Sequence, residues 1–173
     1  MGLQEDMNLP PGRRGKLQRL MQRIGATRLG TAVLGAVIVP LDRLVDRRSG
    51  GRTTAARALG GFPVVLLTTI GGRSGERRST PINVIPHRGD FALVGTNMGK
   101  GFTPAWAHNL RKTPQATLTY ADREHPVFAT EIEGDEYEEV YAAAIGVYPG
   151  YARYRQASDH QAPIFILTAR EGQ

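Results

Sequence analysis

The sequence has no cysteine among its 173 residues. Disulfide bonds, thiolate zinc sites, iron–sulfur clusters and cysteine nucleophiles are therefore excluded. Histidine is also scarce, since the chain has only four. No two histidines stand at the spacing of a metal site, and none is joined to carboxylates at such a spacing. The sequence thus predicts a protein without a metal centre.

The sequence also lacks an apolar run long enough to cross a membrane as a helix. The candidate run covers residues 29–41, and Gly30, Gly35 and Pro40 interrupt it. A spanning helix needs about 20 apolar residues. The run starts too late for a secretory signal, and no small-residue cleavage site follows it. We expect a cytoplasmic protein that does not span the membrane.

The excess positive charge is confined to the N-terminal third of the chain. Residues 1–57 have 11 Lys and Arg against 4 Asp and Glu, whereas residues 58–173 have 11 against 12. Apolar residues at helical spacing in 17–24 and 37–45 predict a basic amphipathic helical extension over residues 1–60. Its helices either pack on the core or contact anionic lipid headgroups on the inner face of the cell membrane. No aromatic residue lies among the basic ones, which argues against a nucleic acid partner.

The pattern of residues 61–173 is typical of a domain of short strands. Apolar, β-branched runs bounded by glycine, proline and polar turns predict six strands. Two helices are predicted, with Thr103 and Asp135 as their N-caps. The hairpin-like spacing favours an α+β fold, a small and mostly antiparallel barrel with helices packed outside it. The strands are predicted at residues 63–70, 80–86, 91–96, 116–120, 127–132 and 162–167.

The first candidate binding segment follows the strand at 63–70. Residues 71–78 combine glycines and a serine with Arg73, Arg77 and Arg78. Consecutive backbone amides in such a turn form a concave site for an anion, and guanidinium groups add charge and paired donors. The segment is not a P-loop, because no Gly-Lys-Ser/Thr follows. It is either an anion-binding turn or a solvated hairpin turn.

A second glycine-rich segment, residues 95–101, leads from a strand into the start of a helix. Free backbone amides there, together with Lys100, offer another site for an anion or a carbonyl oxygen. Trp106, the only tryptophan, lies one turn into that helix. We expect Trp106 to be a wall or core residue.

The tyrosines are concentrated near the C-terminus, five of the six within residues 137–154. Tyr148, Tyr151 and Tyr154 recur at every third position around a Pro-Gly break. Tyrosine suits any half-buried helix face. The cluster is therefore either ordinary packing or a pocket wall whose phenols orient an oxygen atom and supply a proton.

Four motifs, in this order and spacing, resemble those of the deazaflavin-dependent nitroreductase family: LLTTIGGRSGERRSTPINVI, VGTNMGKGFTPAWAHNL, VYPGYARYRQ and APIFIL. The resemblance covers about residues 38–168. It implies a split β-barrel fold and the 8-hydroxy-5-deazaflavin coenzyme F420, which carries a phosphate and an acidic tail.

The resemblance also implies roles for individual residues. Tyr148, Tyr151 and Tyr154 match tyrosines of the substrate pocket and are the candidate catalytic residues. The first segment would bind the phosphate and the acidic tail, and the second segment, with the start of its helix, would border the phosphate and the deazaflavin ring. The residues implied to bind the coenzyme are Gly72, Arg73, Ser74, Gly75, Arg77, Arg78, Pro81, Thr96, Asn97, Met98, Gly99, Lys100, Pro104, Ala105 and Trp106.

Two positions differ from the nitroreductase proper. Asn83 stands two residues after Pro81, where that enzyme has an aromatic residue, and Asn97 stands where it has a lysine. The first difference argues against reduction of nitro prodrugs. Arg73 and Lys100 stand close enough in the sequence to replace the lysine.

The implied reaction is hydride transfer from the reduced coenzyme to a small-molecule acceptor, a hydrophobic electrophile such as a quinone, an enone or a nitroaromatic. One alternative is a non-catalytic carrier of F420 or of a lipid-like ligand. Another is an oxidase of the same fold that uses flavin mononucleotide, which the Gly-Arg-Ser-Gly turn disfavours. The resemblance also allows a homodimer.

Overall fold

The structure is a computed structural model that describes residues 2–9 and 64–170. The helices predicted within 17–24 and 37–45, and most of the predicted extension, lie outside the described residues. The described elements are α1 (Leu3–Met7), β1 (Val64–Ile70), β2 (Arg77–Asn83), β3 (Ile85–His87), β4 (Asp90–Val94), a 3-10 turn (Asn97–Gly99), α2 (Ala105–Lys112), β5 (Gln115–Tyr120), β6 (Arg123–Ile132), α3 (Gly134–Val147), α4 (Gly150–Gln156) and β7 (Ile164–Ala169).

The described strands form one antiparallel sheet in the order β2-β1-β5-β6-β7-β4-β3. β2 and β3 stand at opposite ends of this order, yet only Val84 separates them in the chain. The sheet must therefore curl until its two edges meet. This confirms the expected α+β fold and the split β-barrel. The predicted strand at 80–86 is two strands, because the chain changes its partner from β1 to β4 at Val84.

Alternate side chains of the strands fill the barrel interior. In β1, Val65 and Leu67 are at most 2% exposed, whereas Leu66 between them is 38% exposed. This is the period of two that a strand imposes. Leu118 of β5 and Leu167 of β7 are fully buried in the same cluster. Each such side chain contributes roughly 1.5–3 kcal/mol through its burial.

Helix α1 is an element that the sequence analysis did not predict. Its Leu3 and Met7 are buried in the core cluster of the barrel. The Leu3 N–H donates to Asp90 Oδ1 over 3.1 Å, and Asp6 Oδ2 lies 2.6 Å from His125 Nδ1. A helix of five residues is not stable by itself in water. These tertiary contacts therefore hold α1 in place.

The two predicted N-caps are wrong. Neither α2 nor α3 has a side-chain hydrogen bond at its N-cap, and Pro104 holds that position in α2. The Thr103 hydroxyl is engaged elsewhere, 3.0 Å from His160 Nε2. In α3, Gly134 has φ +65° and begins the helix one residue before Asp135.

α3 and α4 pack against the β3–β4 side of the barrel. Val140 and Tyr141 of α3 belong to a second buried cluster with Ile85 of β3. His87 Nε2 of β3 lies 3.0 Å from Glu136 Oε1 of α3. This packing places the tyrosines of α3 and α4 at one side of the barrel.

Candidate functional site

The turn between β1 and β2 contains the first group of predicted coenzyme-binding residues. The Gly71 N–H donates to the Glu76 carbonyl over 2.7 Å, and the Gly75 N–H donates to the Gly71 carbonyl over 2.8 Å. Gly75 has φ +71°. A Cβ on Gly71 would lie 2.7 Å from Ser74 Oγ. The turn is therefore tight, and the positive φ favours glycine at position 75.

Three exposed arginines surround this turn: Arg73, Arg77 and Arg78. Arg78 Nη2 lies 2.8 Å from Glu76 Oε2, and Arg77 Nη2 lies 3.7 Å from Glu124 Oε1. Exposed ion pairs of this kind contribute at most about 1 kcal/mol. A ligand with several negative charges can therefore displace the carboxylates and take their place.

Asn109 of α2 holds the turn against β1. Its Oδ1 accepts the Gly72 N–H over 2.9 Å, and its Nδ2 donates to Thr69 Oγ1 over 3.0 Å. Lys112 Nζ donates to the Gly72 carbonyl. The sequence analysis missed both residues. The signal that could have found Asn109 is an asparagine inside a helix, where its side chain is unfavourable without a partner.

Helix α2 links this turn to the second predicted group. It has eight residues and is about 12 Å long. Its last turn contacts Gly72, and Pro104, Ala105 and Trp106 stand at its start. Trp106 packs edge-on against Phe165 with 5.9 Å between ring centroids. The two predicted loops thus meet opposite ends of one helix.

The loop of residues 95–101, which we call the glycine loop, has a strained backbone. Asn97, Met98 and Gly99 have consecutive positive φ angles of 47°, 58° and 76°. For the two residues that are not glycine, this costs on the order of 1–3 kcal/mol each. Met98 and Lys100 are exposed, and a Cβ on Gly99 would lie 3.1 Å from Tyr154 Cδ1. The glycine loop therefore packs closely on α4.

Five tyrosines from α3, from α4 and from the segment between these helices lie together. We call them the tyrosine cluster: Tyr137, Tyr141, Tyr148, Tyr151 and Tyr154. Neighbouring rings have centroids 5.8–6.4 Å apart. Tyr141 Oη donates to the Tyr151 carbonyl over 3.1 Å. The structure thus brings the three predicted catalytic tyrosines into one packed group.

Three phenols of this cluster, those of Tyr141, Tyr151 and Tyr154, are held in their protonated form. Burial raises the pKa of Tyr141 to about 12 and the pKa of Tyr151 to about 12. Burial also raises the pKa of Tyr154, and the neighbouring Tyr148 raises it further. At neutral pH these groups therefore act as hydrogen-bond donors and not as bases.

Strand β2 connects the turn to the tyrosine cluster. It begins with Arg77, carries the exposed Pro81 in its middle and ends at Asn83. Burial raises the pKa of the Tyr151 phenol, and the Asn83 side chain lowers it by a smaller amount. Residues 77, 81 and 83 share one face of the strand, which is about 20 Å long. One face of β2 thus leads from the guanidinium groups to a predicted catalytic tyrosine.

A cleft of about 400 Å³ lies between the glycine loop, α3 and α4. Thr96, Gly99 and Tyr154 line it, and so do Tyr137 and Tyr141, which were not among the predicted site residues. A Cβ on residue 99 or 101 would narrow the cleft. Of the three predicted catalytic tyrosines, Tyr154 thus lines the cleft, and Tyr148 and Tyr151 do not.

An ion pair fixes α4 on α3 in the wall of this cleft. Arg155 donates two hydrogen bonds to the Glu138 carboxylate, over 2.8 and 2.6 Å. Its guanidinium also lies 4.9 Å from the centroid of the Tyr141 ring. The hydrogen bonds to Arg155 lower the pKa of Glu138, which keeps that carboxylate charged. These contacts orient the tyrosine cluster against the glycine loop.

The part of the chain that the structure describes has neither a cluster of metal ligands nor a membrane-spanning helix. Within residues 2–9 and 64–170, no three His, Asp or Glu side chains converge in a way that could bind a metal ion. None of the helices in these ranges combines the length and the hydropathy needed to span a bilayer.

Residues 42–169 match the model of a family described as F420H(2)-dependent quinone reductase. The chain belongs to this family. It is accordingly an oxidoreductase that depends on F420H2, and F420 is its coenzyme.

Three proteins show what the chain is similar to. An F420H(2)-dependent quinone reductase of Mycobacterium tuberculosis (strain H37Rv) is 22% identical over 142 residues, which cover 79% of this chain and 93% of that protein. A solved F420H2-dependent reductase, FDR-A, is 34% identical with a TM-score of 0.56, and the match covers 61% of this chain and 93% of that chain. A chain solved as a domain-swapped dimer is 31% identical with a TM-score of 0.58, and the match covers 72% of this chain and 94% of that chain.

The described residues fit this coenzyme. A tight turn with exposed guanidinium groups matches the phosphate and the acidic tail. In the glycine loop, Gly99 and Gly101 allow close packing on α4 and the segment after it, because a Cβ there would approach Tyr154 or Ser158 to 3.1 Å.

Gly150 allows Tyr148 to occupy its place in the tyrosine cluster. A Cβ on Gly150 would lie 2.1 Å from Tyr148 Cε1. Because the clashing atoms are at the end of a side chain, Gly150→Ala should displace the Tyr148 ring and leave the melting temperature nearly unchanged. We expect steady-state oxidation of F420H2 by a quinone to slow about tenfold.

Gly146→Ala is the matched control. Gly146 lies in α3 with no atom within 4 Å of a built Cβ. Alanine there should increase the free energy of unfolding by roughly 0.5–1 kcal/mol and leave the rate unchanged. Full activity of the variant at position 150 would show that the Tyr148 ring has no part in the reaction.

Proposed function

We propose that the chain transfers a hydride from reduced F420 to a flat hydrophobic electrophile, with a quinone as the preferred class. One arrangement carries this proposal. The arginine-bearing turn and the glycine loop meet the two ends of α2, and the glycine loop packs on Tyr154. A coenzyme bound by its anionic end at the turn has its ring end near the tyrosine cluster in this arrangement. The M. tuberculosis relative is described as a quinone reductase, which supports the choice of acceptor.

The residues assigned to F420 are those of the turn, of the face of β2, of the glycine loop and of the start of α2. When bound, the reduced coenzyme supplies a hydride from C5 of its deazaflavin. The turn binds the anionic groups with guanidinium side chains and backbone amides. The assigned residues are Gly72, Arg73, Ser74, Gly75, Arg77, Arg78, Pro81, Thr96, Asn97, Met98, Gly99, Lys100, Pro104, Ala105 and Trp106.

The tyrosines act on the electron acceptor. Tyr151 and Tyr154 stay protonated at neutral pH because burial raises the pKa of both phenols. A protonated phenol donates a hydrogen bond to an acceptor oxygen, and this bond strengthens as negative charge develops there. Tyr148, Tyr151 or water delivers the proton that the reduced acceptor needs. Holding the two reactants together supplies most of the rate enhancement.

The proposal includes the organisation of the whole chain. Residues 61–173 form the F420-binding domain, on which α1 docks, and the rest of the basic extension of residues 1–60 is the part that contacts an anionic membrane surface. The positive charge of that extension and its amphipathic pattern support this assignment. The relative solved as a domain-swapped dimer supports a homodimer.

The test is a fluorescence titration with F420 and with flavin mononucleotide, followed by anaerobic turnover of F420H2 with a quinone, an enone and a nitroaromatic. We expect micromolar binding of F420 alone and turnover that is fastest with the quinone. Binding of F420 without turnover of any acceptor would support a carrier, and binding of flavin mononucleotide alone would support an oxidase. Either result contradicts the proposed function.

A further inference from the structure

The imidazole of His160 is a polar group of the cleft to which the proposed function gives no role. His160 lies in the connection between α4 and β7, residues 157–163, and it lines the cleft together with Tyr154. Its Nε2 lies 3.0 Å from Oγ1 of Thr103, which stands one residue before Pro104 at the start of α2. The hydroxyl that the sequence predicts as an N-cap therefore binds a ring at the cleft instead.

The connection between α4 and β7 follows the glycine loop along its length. At one end, the Gly95 N–H donates to the Pro163 carbonyl over 2.8 Å. At the other end, a Cβ on Gly101 would lie 3.1 Å from Ser158 Oγ, and the same hydroxyl accepts the His160 N–H over 3.0 Å. Contacts at both ends thus fix the backbone of His160 beside the loop that is assigned to the deazaflavin ring.

The hydrogen bond with Thr103 determines which ring nitrogen of His160 is left for a ligand. A hydroxyl can donate as well as accept, and a neutral imidazole carries its proton on only one nitrogen. When the Thr103 hydroxyl donates to Nε2, the proton of the neutral ring lies on Nδ1. The charged ring has a proton on both nitrogens and keeps the Nδ1 donor. In either state the ring can donate from Nδ1 to a group in the cleft.

A para-quinone differs from an enone in having two carbonyl oxygens, at opposite ends of one conjugated ring. Addition of a hydride leaves an anion whose charge lies on oxygen, and donors placed at such an oxygen stabilise the transition state. The tyrosines are proposed to bind one acceptor oxygen. The second oxygen of a para-quinone therefore needs a donor of its own, whereas an enone does not.

We propose that His160, oriented by the Thr103 hydroxyl, donates its Nδ1–H to the second carbonyl oxygen of a para-quinone while the tyrosines bind the first, so that quinones are favoured over enones. This inference rests on the proposed function for the coenzyme and the acceptor. The electron pair and one hydrogen of the hydroquinone come from the hydride, and the remaining proton comes from a tyrosine or from water. His160 is then a catalytic residue that contacts the substrate, and Thr103 is a positioning residue that acts through it.

His160→Leu and His160→Gln test this role with two acceptors. Leucine has no donor, so kcat/KM for the quinone menadione should fall about tenfold, whereas kcat/KM for cyclohexenone should change less than about twofold. Glutamine has an amide N–H and should recover most of the loss with menadione. His160 is exposed, so both variants should keep the melting temperature. Equal losses with both acceptors, or a glutamine variant as slow as the leucine variant, would overturn the proposal.

Thr103→Val and Thr103→Ser test the orientation of the ring. Valine has nearly the shape of threonine without the hydroxyl, so kcat for menadione should fall about threefold. Serine keeps the hydroxyl and should behave like the unchanged protein. In the His160→Leu background, Thr103→Val should cost nothing further, because the ring on which it acts is already gone. A further loss there would contradict the positioning role.

NMR of the histidine rings tests the contact without turnover. The His160 Cε1–H signal, assigned from its loss in His160→Leu, should shift when menadione is added to the protein alone or with oxidised F420, which has no hydride to give. His87 and His125, which are buried and contact carboxylates elsewhere, are internal controls whose signals should not move. A His160 signal that moves in neither state would overturn the proposal. A shifted signal in a protein that reduces neither acceptor would leave the contact intact and contradict the proposed function instead.

Discussion

Replacing Arg73, Arg77 and Arg78 together by glutamine is expected to weaken F420 binding about 100-fold at low salt. A charge-assisted hydrogen bond contributes roughly 1.5–3 kcal/mol when well formed, and exposure reduces each contribution, so about 3 kcal/mol is expected for the three. That free energy corresponds to about two orders of magnitude in Kd. The measurement is the fluorescence titration with F420. All three side chains are exposed, so the melting temperature should change little.

Salt and a control variant make this prediction specific. The affinity of the unchanged protein should fall as ionic strength rises, and the affinity of the triple variant should depend on salt much less. Arg170→Gln removes one positive charge, a third of what the triple variant removes, from an exposed position just after β7, three strands away from β1 in the sheet. It should leave Kd unchanged. A loss of binding free energy in Arg170→Gln of about one third of that in the triple variant would show that the net charge matters and that the turn does not.

Asn109→Leu is expected to destabilise the protein and to weaken F420 binding at the same time. Leucine removes the acceptor of the Gly72 N–H and the donor to Thr69 Oγ1. Both lost partners lie in a partly buried region, and each costs about 1–1.5 kcal/mol. Urea denaturation should therefore show a loss of roughly 2–3 kcal/mol in the free energy of unfolding. F420 affinity should also fall, because the turn is no longer held against β1.

Asn109→Asp separates the two effects. The carboxylate still accepts the Gly72 N–H but cannot donate to Thr69, so about half of the stability should be retained. It also places a negative charge beside the arginine-bearing turn, which should weaken binding of the anionic coenzyme more than it weakens the fold. If the aspartate variant binds F420 normally, the turn does not contact the anionic part of the coenzyme.

The turn, the strands and the longer helices could be predicted from the sequence because each depends on residues that are neighbours in the chain. A strand followed by Gly71-Gly72 and arginines describes a tight cationic turn in any fold, and the structure shows that turn. The strands and the two longest of the described helices follow from the spacing of apolar residues, to within a few positions. The N-cap predictions at Thr103 and Asp135 were both wrong. The cause at Thr103 is tertiary, because its hydroxyl is hydrogen-bonded with His160.

The sequence by itself thus determined the α+β class, the arginine-bearing turn, the glycine loop, the run of tyrosines and, through its motifs, the family. Only the tertiary structure decided which of these elements meet. Asn109 holds the turn and α1 docks on the barrel through contacts between residues 37 to 119 positions apart in the chain. Residue patterns report the period of a helix or a strand, which depends on neighbours in the chain. A hydrogen bond between distant residues depends on how the sheet curls, and no local period records it.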